Sequence, residues 1–126
     1  MRILGVDYGL KRIGLAISDG TIASPLGKIS DLQGVIRVIE AQGVSQIVIG
    51  FPDRNNSNVQ KFGSRLNQIT GLPVEYWDES YSTKLARKAM INRGVPVVKR
   101  QQQIDQNAAT VILQSYLDSD HGHQTL

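Results

Sequence analysis

The chain contains no cysteine, and its only two histidines, His121 and His123, lie near the carboxyl terminus. The absence of cysteine excludes a disulfide framework and a thiolate metal site, and it is compatible with a reducing cytosol. Zinc in proteins is held mainly by cysteine and histidine, so this chain is poorly equipped to bind it. A metal site would therefore depend on oxygen ligands.

Long apolar runs are also missing, and none could cross a bilayer. Strand-like residues begin at Ile3, so we expect no signal or transit peptide, no membrane contact and a cytoplasmic location. With 126 residues and no repeat, we expect one domain over residues 1–117 and a polar tail over residues 118–126. The net charge of +3 permits a polyanionic partner without requiring one.

The most informative stretch is residues 3–9, an apolar and β-branched run that ends on a carboxylate and a turn. Such a run predicts a strand buried on both faces in the middle of a mostly parallel sheet. Asp7 would then lie at the carboxyl end of the strand, where open α/β sheets bind ligands. The alternative is an ordinary turn, in which Asp7 bonds to nearby backbone and Gly9 supplies a positive φ.

Four more strands are predicted from short apolar runs. Residues 13–18 and 21–29 continue an antiparallel meander, with the third strand at an edge where Pro25 is tolerated. Residues 46–50 and 73–78 each follow a helical segment, and such crossover connections predict parallel pairing. The strand at 46–50 is expected beside the opening strand.

Helical periodicity marks four segments. The first is capped by Ser30 or Asp31 and ends at Gly43, the second ends at Gly71, and the third begins at Ser82. The last helix opens at Asp105, and its expected inward side carries Ile104, Ala108, Val111, Ile112, Ser115 and Tyr116. The alternation of strands and helices predicts an α/β fold.

The ends of these elements carry an ordered set of motifs. They are Asp7-Tyr8-Gly9, Gly50-Phe51-Pro52, Asp78-Glu79, Ser82-Thr83 and Asp105-Gln106-Asn107-Ala108-Ala109. Over residues 2 to about 116, their order and spacing resemble the YqgF family of RuvX type. These bacterial proteins of the ribonuclease H-like superfamily are described as pre-16S rRNA nucleases and as relatives of Holliday junction resolvases. The resemblance implies a mixed five-stranded sheet, its first three strands an antiparallel meander, with helices on both faces.

The resemblance also implies a two-metal phosphodiester hydrolase. Asp7, Glu79 and Asp105 match the acidic positions of the family and are the expected catalytic residues; with Asp78 they are the expected metal ligands. Carboxylates suit Mg²⁺ and Mn²⁺, and three acids gathered in a crevice repel one another unless a cation neutralises them. Asp78 and Glu79 are neighbours on an extended chain, so only one of them is expected to face the metal.

The acids have structural interpretations as well. Asp78 and Glu79 could simply be solvated after a strand, and Asp105 could serve the first turn of its helix through the helix dipole. Tyr76 and Trp77, in the fifth strand, are expected to be core residues rather than platforms for stacked bases.

A set of cations and hydroxyls flanks the acids in sequence and is expected to contact nucleic-acid phosphates. Its members are Lys11, Arg12, Ser82, Thr83, Lys84, Arg87, Lys99 and Arg100. The same cations could instead solvate exposed faces, and the hydroxyls could cap a helix.

By resemblance, the expected substrate is structured RNA, cleaved at the 5′ end of precursor 16S rRNA during ribosome biogenesis. The first alternative is a resolvase of branched DNA, which would act as a homodimer rather than a monomer. The strand and Asp-x-Gly turn also resemble sugar-kinase and actin-like ATPases, which need two such domains. A non-catalytic RNA-binding module is the remaining alternative.

Two positions depart from the family pattern. Ser80 stands where many members have arginine, and residues 55–57 are Asn-Asn-Ser in place of a glycine-serine turn. Both departures affect the expected affinity for substrate more than the type of reaction.

Overall fold

The sheet is built around its first strand. The computed structural model describes residues 1–9, 11–51, 57–78 and 108–119. Strand β1 (Ile3–Tyr8) is buried over its first four residues, as its apolar sequence predicts. The other strands are β2 (Ile13–Ser18), β3 (Ala23–Ile29), β4 (Gln46–Phe51) and β5 (Val74–Asp78).

The five strands form one mixed sheet in the order β3-β2-β1-β4-β5. β1, β2 and β3 pair antiparallel, whereas β1, β4 and β5 pair parallel. The carboxyl ends of β1, β4 and β5 therefore meet at one edge of the sheet. This topology confirms the predicted meander, the predicted edge position of β3 and the predicted crossovers.

A β-bulge interrupts the pairing of β2 with β3. Ala16 pairs with Pro25, but the register shifts between Leu15 and Ala16, and Gly14 pairs with Lys28. One extra residue in a strand reverses the face to which every later side chain points. The bulge therefore turns Lys28 to the same face of the sheet as Gly14.

Two helices cover one face of the sheet. In α1 (Leu32–Gln42) the Asp31 side chain caps the amino end by accepting a hydrogen bond from Gly34 N at 2.9 Å. Gly43 ends this helix with a φ of 64°. α2 (Ser57–Thr70) follows β4, and both helices agree with the predicted segments. The core on this face includes Leu4, Val6, Ile13, Leu15, Val35, Ile39, Ile47, Ile49, Val59, Phe62 and Leu66.

A third helix, α3 (Ala108–Asp118), covers the opposite face, so the prediction of helices on both faces is confirmed. The predicted start at Asp105 and the predicted helix after Ser82 lie outside the described residues. Among the described residues, no helix has both the length and the apolar character needed to span a membrane.

The predicted inward side of α3 is partly wrong. Ile112, Ser115 and Tyr116 are buried as expected, but Ala108 and Val111 are only half-buried. The residues buried in addition are Ala109, Leu113 and Leu117. Apolar residues surround this helix on most sides, so periodicity alone does not single out its buried face.

Side-chain hydrogen bonds hold α3 against the sheet. Gln114 accepts from Ala23 N at 2.9 Å and donates to Thr21 O at 3.0 Å, which connects the helix to the edge strand. Gln46 Nε2 donates to the Tyr116 hydroxyl at 2.9 Å. Burial raises the pKa of the Tyr116 phenol and a hydrogen bond with Glu75 raises it further, whereas the Gln46 bond lowers it.

The side chains of β5 alternate between the two helical layers. Trp77 Nε1 donates to Ser115 Oγ of α3 at 3.0 Å, whereas the Tyr76 hydroxyl donates to Gln60 O of α2 at 3.4 Å. The prediction that Tyr76 is a core residue is wrong, because it is 40% exposed. Trp77 is half-buried and packs against the α3 core.

We predict that Gly5→Ala destabilises the fold by about 1–3 kcal/mol, because its new methyl group overpacks the contact between β1 and α3. A Cβ at Gly5 would lie 2.7 Å from Leu113 Cβ and 3.1 Å from Ala109 O. Urea unfolding monitored by circular dichroism measures the change in unfolding free energy.

Gly14→Ala is the matched control on the neighbouring strand and the same face. A Cβ there would meet Asp7 Cβ at 3.6 Å and Ala109 Cβ at 3.7 Å, which are ordinary contacts. Equal losses of unfolding free energy in the two variants would contradict the close approach of α3 to β1.

Candidate active site

Asp7 lies near the carboxyl end of the central strand, between two glycines. Its register partners are Gly14 in β2 and Gly50 in β4, neither of which has a side chain. A Cβ at Gly14 would lie 3.9 Å from Asp7 Oδ2, so the carboxylate rests beside the bare backbone of β2. Glycine on both sides leaves the space around the carboxylate open.

The carboxylate of Asp7 is half-buried and makes no hydrogen bond or ion pair with any residue that the structure describes. Gly9 does not adopt a positive φ, and its N–H donates to Arg12 O at 3.1 Å. In the described part of the chain, Asp7 is therefore not a turn residue whose side chain bonds to nearby backbone. A half-buried carboxylate without a partner is available to bind a ligand.

A cavity of about 220 Å³ opens beside Asp7, where the meander meets the first turn of α3. Its lining residues are Asp7, Arg12, Gly14, Leu15, Pro25, Gly27, Lys28, Ala108, Ala109 and Thr110. The cavity thus brings one carboxylate and two cations together from separate parts of the meander.

The start of α3 packs closely on this cavity because the contacting residues are small. Ala109 is buried, and its Cβ would lie 3.7 Å from a Cβ placed at Gly14. Small residues at these positions let the last helix approach the sheet closely. In the described part of the chain, the buried Thr110 hydroxyl has no hydrogen-bond partner.

Lys28 also lines the Asp7 cavity, although it is not among the site residues predicted from the sequence. It pairs with Gly14, which pairs with Asp7, so the three residues form one row across the sheet. The Lys28 and Asp7 Cα atoms are therefore about 10 Å apart, two strand spacings, with no side chain between them. Without knowledge of the β3 bulge, counting along the sequence would place Lys28 on the other face.

Asp78 ends β5 on the other face of the sheet. Asp7 is level with Gly50 and Trp77, and Trp77 packs on α3, which also covers the face of Asp7. Strand alternation directs the next residue, Asp78, toward the face of α1 and α2. The two described acids of the predicted set therefore do not converge.

The other predicted site residues divide into two groups. Lys11 and Arg12 are exposed after β1, and Arg12 lines the cavity with Asp7. Outside the described residues lie Glu79, Ser82, Thr83, Lys84, Arg87, Lys99, Arg100 and Asp105. Within residues 1–9, 11–51, 57–78 and 108–119, no three potential metal ligands of the His, Cys, Asp or Glu type cluster together.

The profile of the family described as "RuvX: Holliday junction resolvase" matches residues 1–119. A curated relative from Syntrophus aciditrophicus (strain SB), named "Putative pre-16S rRNA nuclease", is 40% identical over 134 residues. That match covers 94% of this chain and 89% of the relative.

Two solved structures share the fold over nearly their full length. Thermus thermophilus RuvC in complex with a Holliday junction substrate has a TM-score of 0.54 at 16% identity, covering 92% of this chain and 94% of that one. The fowlpox virus Holliday junction resolvase has a TM-score of 0.57 at 13% identity, covering 94% and 98%. These similarities confirm the predicted ribonuclease H-like architecture.

We predict that Thr110→Val raises the unfolding free energy by about 1 kcal/mol, because it removes a buried hydroxyl that lacks a partner. Valine and threonine have similar shape and helix propensity, so little else changes. Thermal and urea unfolding measure the effect.

Ser115→Ala, on the same helix, is the opposite control. It removes the acceptor of the Trp77 Nε1 hydrogen bond and should destabilise the fold by about 1–3 kcal/mol. A loss of stability in Thr110→Val as large as that in Ser115→Ala would show that the Thr110 hydroxyl is satisfied.

Proposed function

The chain belongs to the RuvX family, and on that basis we propose that it is a metal-dependent nuclease that processes the 5′ end of precursor 16S rRNA. The observation that carries the proposal is the unpartnered carboxylate of Asp7, which opens into a cavity that Arg12 and Lys28 also line. A carboxylate beside cations suits a phosphodiester substrate, since the cations attract phosphate and the acid binds metal or handles protons. We propose the cytoplasm as the site of this reaction.

Glu79 is proposed as the second acid, in preference to Asp78. Trp77 shares the face of Asp7 and lies about 10 Å from it, two strand spacings across the sheet. A strand that continued past Asp78 would direct the Glu79 side chain to the face of Trp77, whereas Asp78 has the opposite parity.

Asp105 is proposed as the third acid. Ala108 lines the cavity of Asp7 and follows Asp105 by three residues. Three residues of chain span at most about 11 Å, which is the largest separation that covalent geometry permits between the Cα atoms of Asp105 and Ala108. This bound supports a site assembled from Asp7, Glu79 and Asp105.

The donor set fits a hard divalent cation, Mg²⁺ or Mn²⁺. Asp7 offers a carboxylate without a competing partner among the described residues, and the chain has no thiolate. Asp7, Glu79 and Asp105 would hold the metal, which when bound supplies activation of water and stabilisation of the leaving oxygen.

The cations of the site are proposed to hold the substrate. Arg12 and Lys28 line the cavity and can bind the phosphate next to the scissile bond. Lys11 is exposed next to Arg12 and is proposed to contact a more distant phosphate. The same role is proposed for Ser82, Thr83, Lys84, Arg87, Lys99 and Arg100.

Resolution of branched DNA is the second candidate, because the matching family is described as "Holliday junction resolvase". Cutting two strands of a junction symmetrically requires two sites, so this activity predicts a homodimer, whereas RNA cleavage can proceed in a monomer. The two candidates share one active site and differ in substrate.

We predict that the purified protein with Mn²⁺ cleaves a fragment carrying the 5′ end of precursor 16S rRNA, and that Asp7→Asn reduces this cleavage by at least about 10³-fold. The substitution keeps the size of the side chain and removes its charge, so folding and RNA binding persist. Gel assays on the fragment, a four-way DNA junction and unstructured RNA measure the selectivity. Preferred junction cleavage favours the resolvase, and full cleavage by Asp7→Asn contradicts the proposed site.

We predict that Glu79→Gln impairs cleavage about as strongly as Asp7→Asn, whereas Asp78→Asn retains most of it. The reason is the opposite strand parity of the two neighbouring acids relative to Asp7. Initial rates at several Mn²⁺ concentrations distinguish lost metal binding from lost chemistry. If Asp78→Asn is the more damaging change, the assignment of faces at the end of β5 is wrong.

A further inference from the structure

A second cavity opens at the end of β1, on the face opposite Asp7. It has a volume of about 330 Å³ and lies between the end of β1 and the helices α1 and α2. The residues that matter for its chemistry are Tyr8, Ser30, Asp31, Lys61, Phe62 and Arg65. Nothing in the proposed reaction uses this cavity.

The cavity has an excess of positive charge. Lys61 and Arg65 are four residues apart in α2, so they lie on one side of the helix about 6 Å apart along its axis. Both are exposed, and neither forms an ion pair with a described residue. The carboxylate in the lining, Asp31, already caps α1 through Gly34 N.

The floor of the cavity is aromatic, and one of its residues is the chain neighbour of Asp7. The Tyr8 ring packs on Phe62 with centroids 4.6 Å apart. Tyr8 directly follows Asp7, and strand alternation sends the two side chains to opposite faces. A polymer that crosses the end of β1 would therefore pass from the Asp7 cavity into this one.

We propose that this cleft, defined by Tyr8, Lys61, Phe62 and Arg65 and called here the α2 cleft, binds backbone phosphates of the RNA strand that flanks the scissile bond. The inference rests on the proposed function and extends its binding surface to the second face of the sheet. Two cations spaced along a helix suit successive phosphates of a strand better than a single small anion, which needs donors that converge on one point. The aromatic floor suits the sugar and base between those phosphates.

Binding is measured in the Asp7→Asn background with Mg²⁺, so that the RNA stays intact. The probes are labelled RNAs centred on the cleavage site, with extensions of increasing length on either the 5′ or the 3′ side. We expect extension in one direction to strengthen binding. Lys61→Gln and Arg65→Gln should each lower the affinity for the extended RNA by on the order of three- to tenfold. The slope of log K against log salt should fall by about 0.7 for each lost phosphate contact on a single strand.

Arg37→Gln is the matched control, because Arg37 is an exposed cation on α1 that does not line the α2 cleft. It removes the same charge and should leave the gain from extension unchanged. Arg65→Lys should retain most of the binding, and thermal unfolding of all variants should match the parent protein since the substituted side chains are exposed. Equal losses in Arg37→Gln and Arg65→Gln would overturn the proposal, because net charge alone would then explain them.

The inference and the proposed function fail in different ways. If the wild-type protein cleaves RNA but Lys61→Gln and Arg65→Gln change neither KM nor the salt dependence, the α2 cleft is not a binding site. If no RNA is cleaved but extension-dependent binding is lost in these variants, the cleft stands and the reaction does not. An acidic peptide that occupies the cleft and leaves RNA binding unaffected would overturn the proposal in favour of a protein partner.

Discussion

The arrangement of this protein depends on the close approach of α3 to β1. Gly5 has no side chain where Leu113 and the backbone of Ala109 press against the strand, and any larger residue would force the helix away. Gly14 and Ala109 continue the same contact toward Asp7. Because the interior is close-packed, this approach sets the depth of the cavity beside the carboxylate and the position of the first turn of α3.

Side chains alternate along each strand, so the two faces of the sheet carry different functional groups. Asp7, Trp77 and Lys28 belong to the face of α3, whereas Tyr8 and Asp78 belong to the face of α1 and α2. One strand end therefore serves a carboxylate cavity on one side and a cationic aromatic cleft on the other. A substrate strand that contacts both the carboxylate cavity and the cationic cleft must pass over the edge of the sheet. In α/β folds, ligands bind at this edge, beyond the carboxyl ends of the parallel strands.

Family membership and fold answer different questions. The match over residues 1–119 places the chain in the RuvX family, whereas the likeness to the RuvC and fowlpox structures at 13–16% identity shows the fold alone. A fold supports many reactions, so the choice between precursor rRNA and a DNA junction depends on the groups that surround Asp7. The RuvX match over residues 1–119 favours a nuclease of this family over the kinase-like alternative.

The sequence alone predicted the antiparallel meander, the crossovers, a helix cap at Ser30 or Asp31 and the stop at Gly43, because these depend on local propensity and on the period of apolar residues. Lys28 could not be identified from the sequence, because one extra residue at the bulge in β3 changes the face of the sheet to which the Lys28 side chain points. The predicted burial of Tyr76 was wrong, and the predicted buried side of α3 was partly wrong. The reason is that the burial of a side chain depends on which element packs over it. Which side chains share the Asp7 cavity was decided only in the folded state, where register and helix approach act across long distances in the chain.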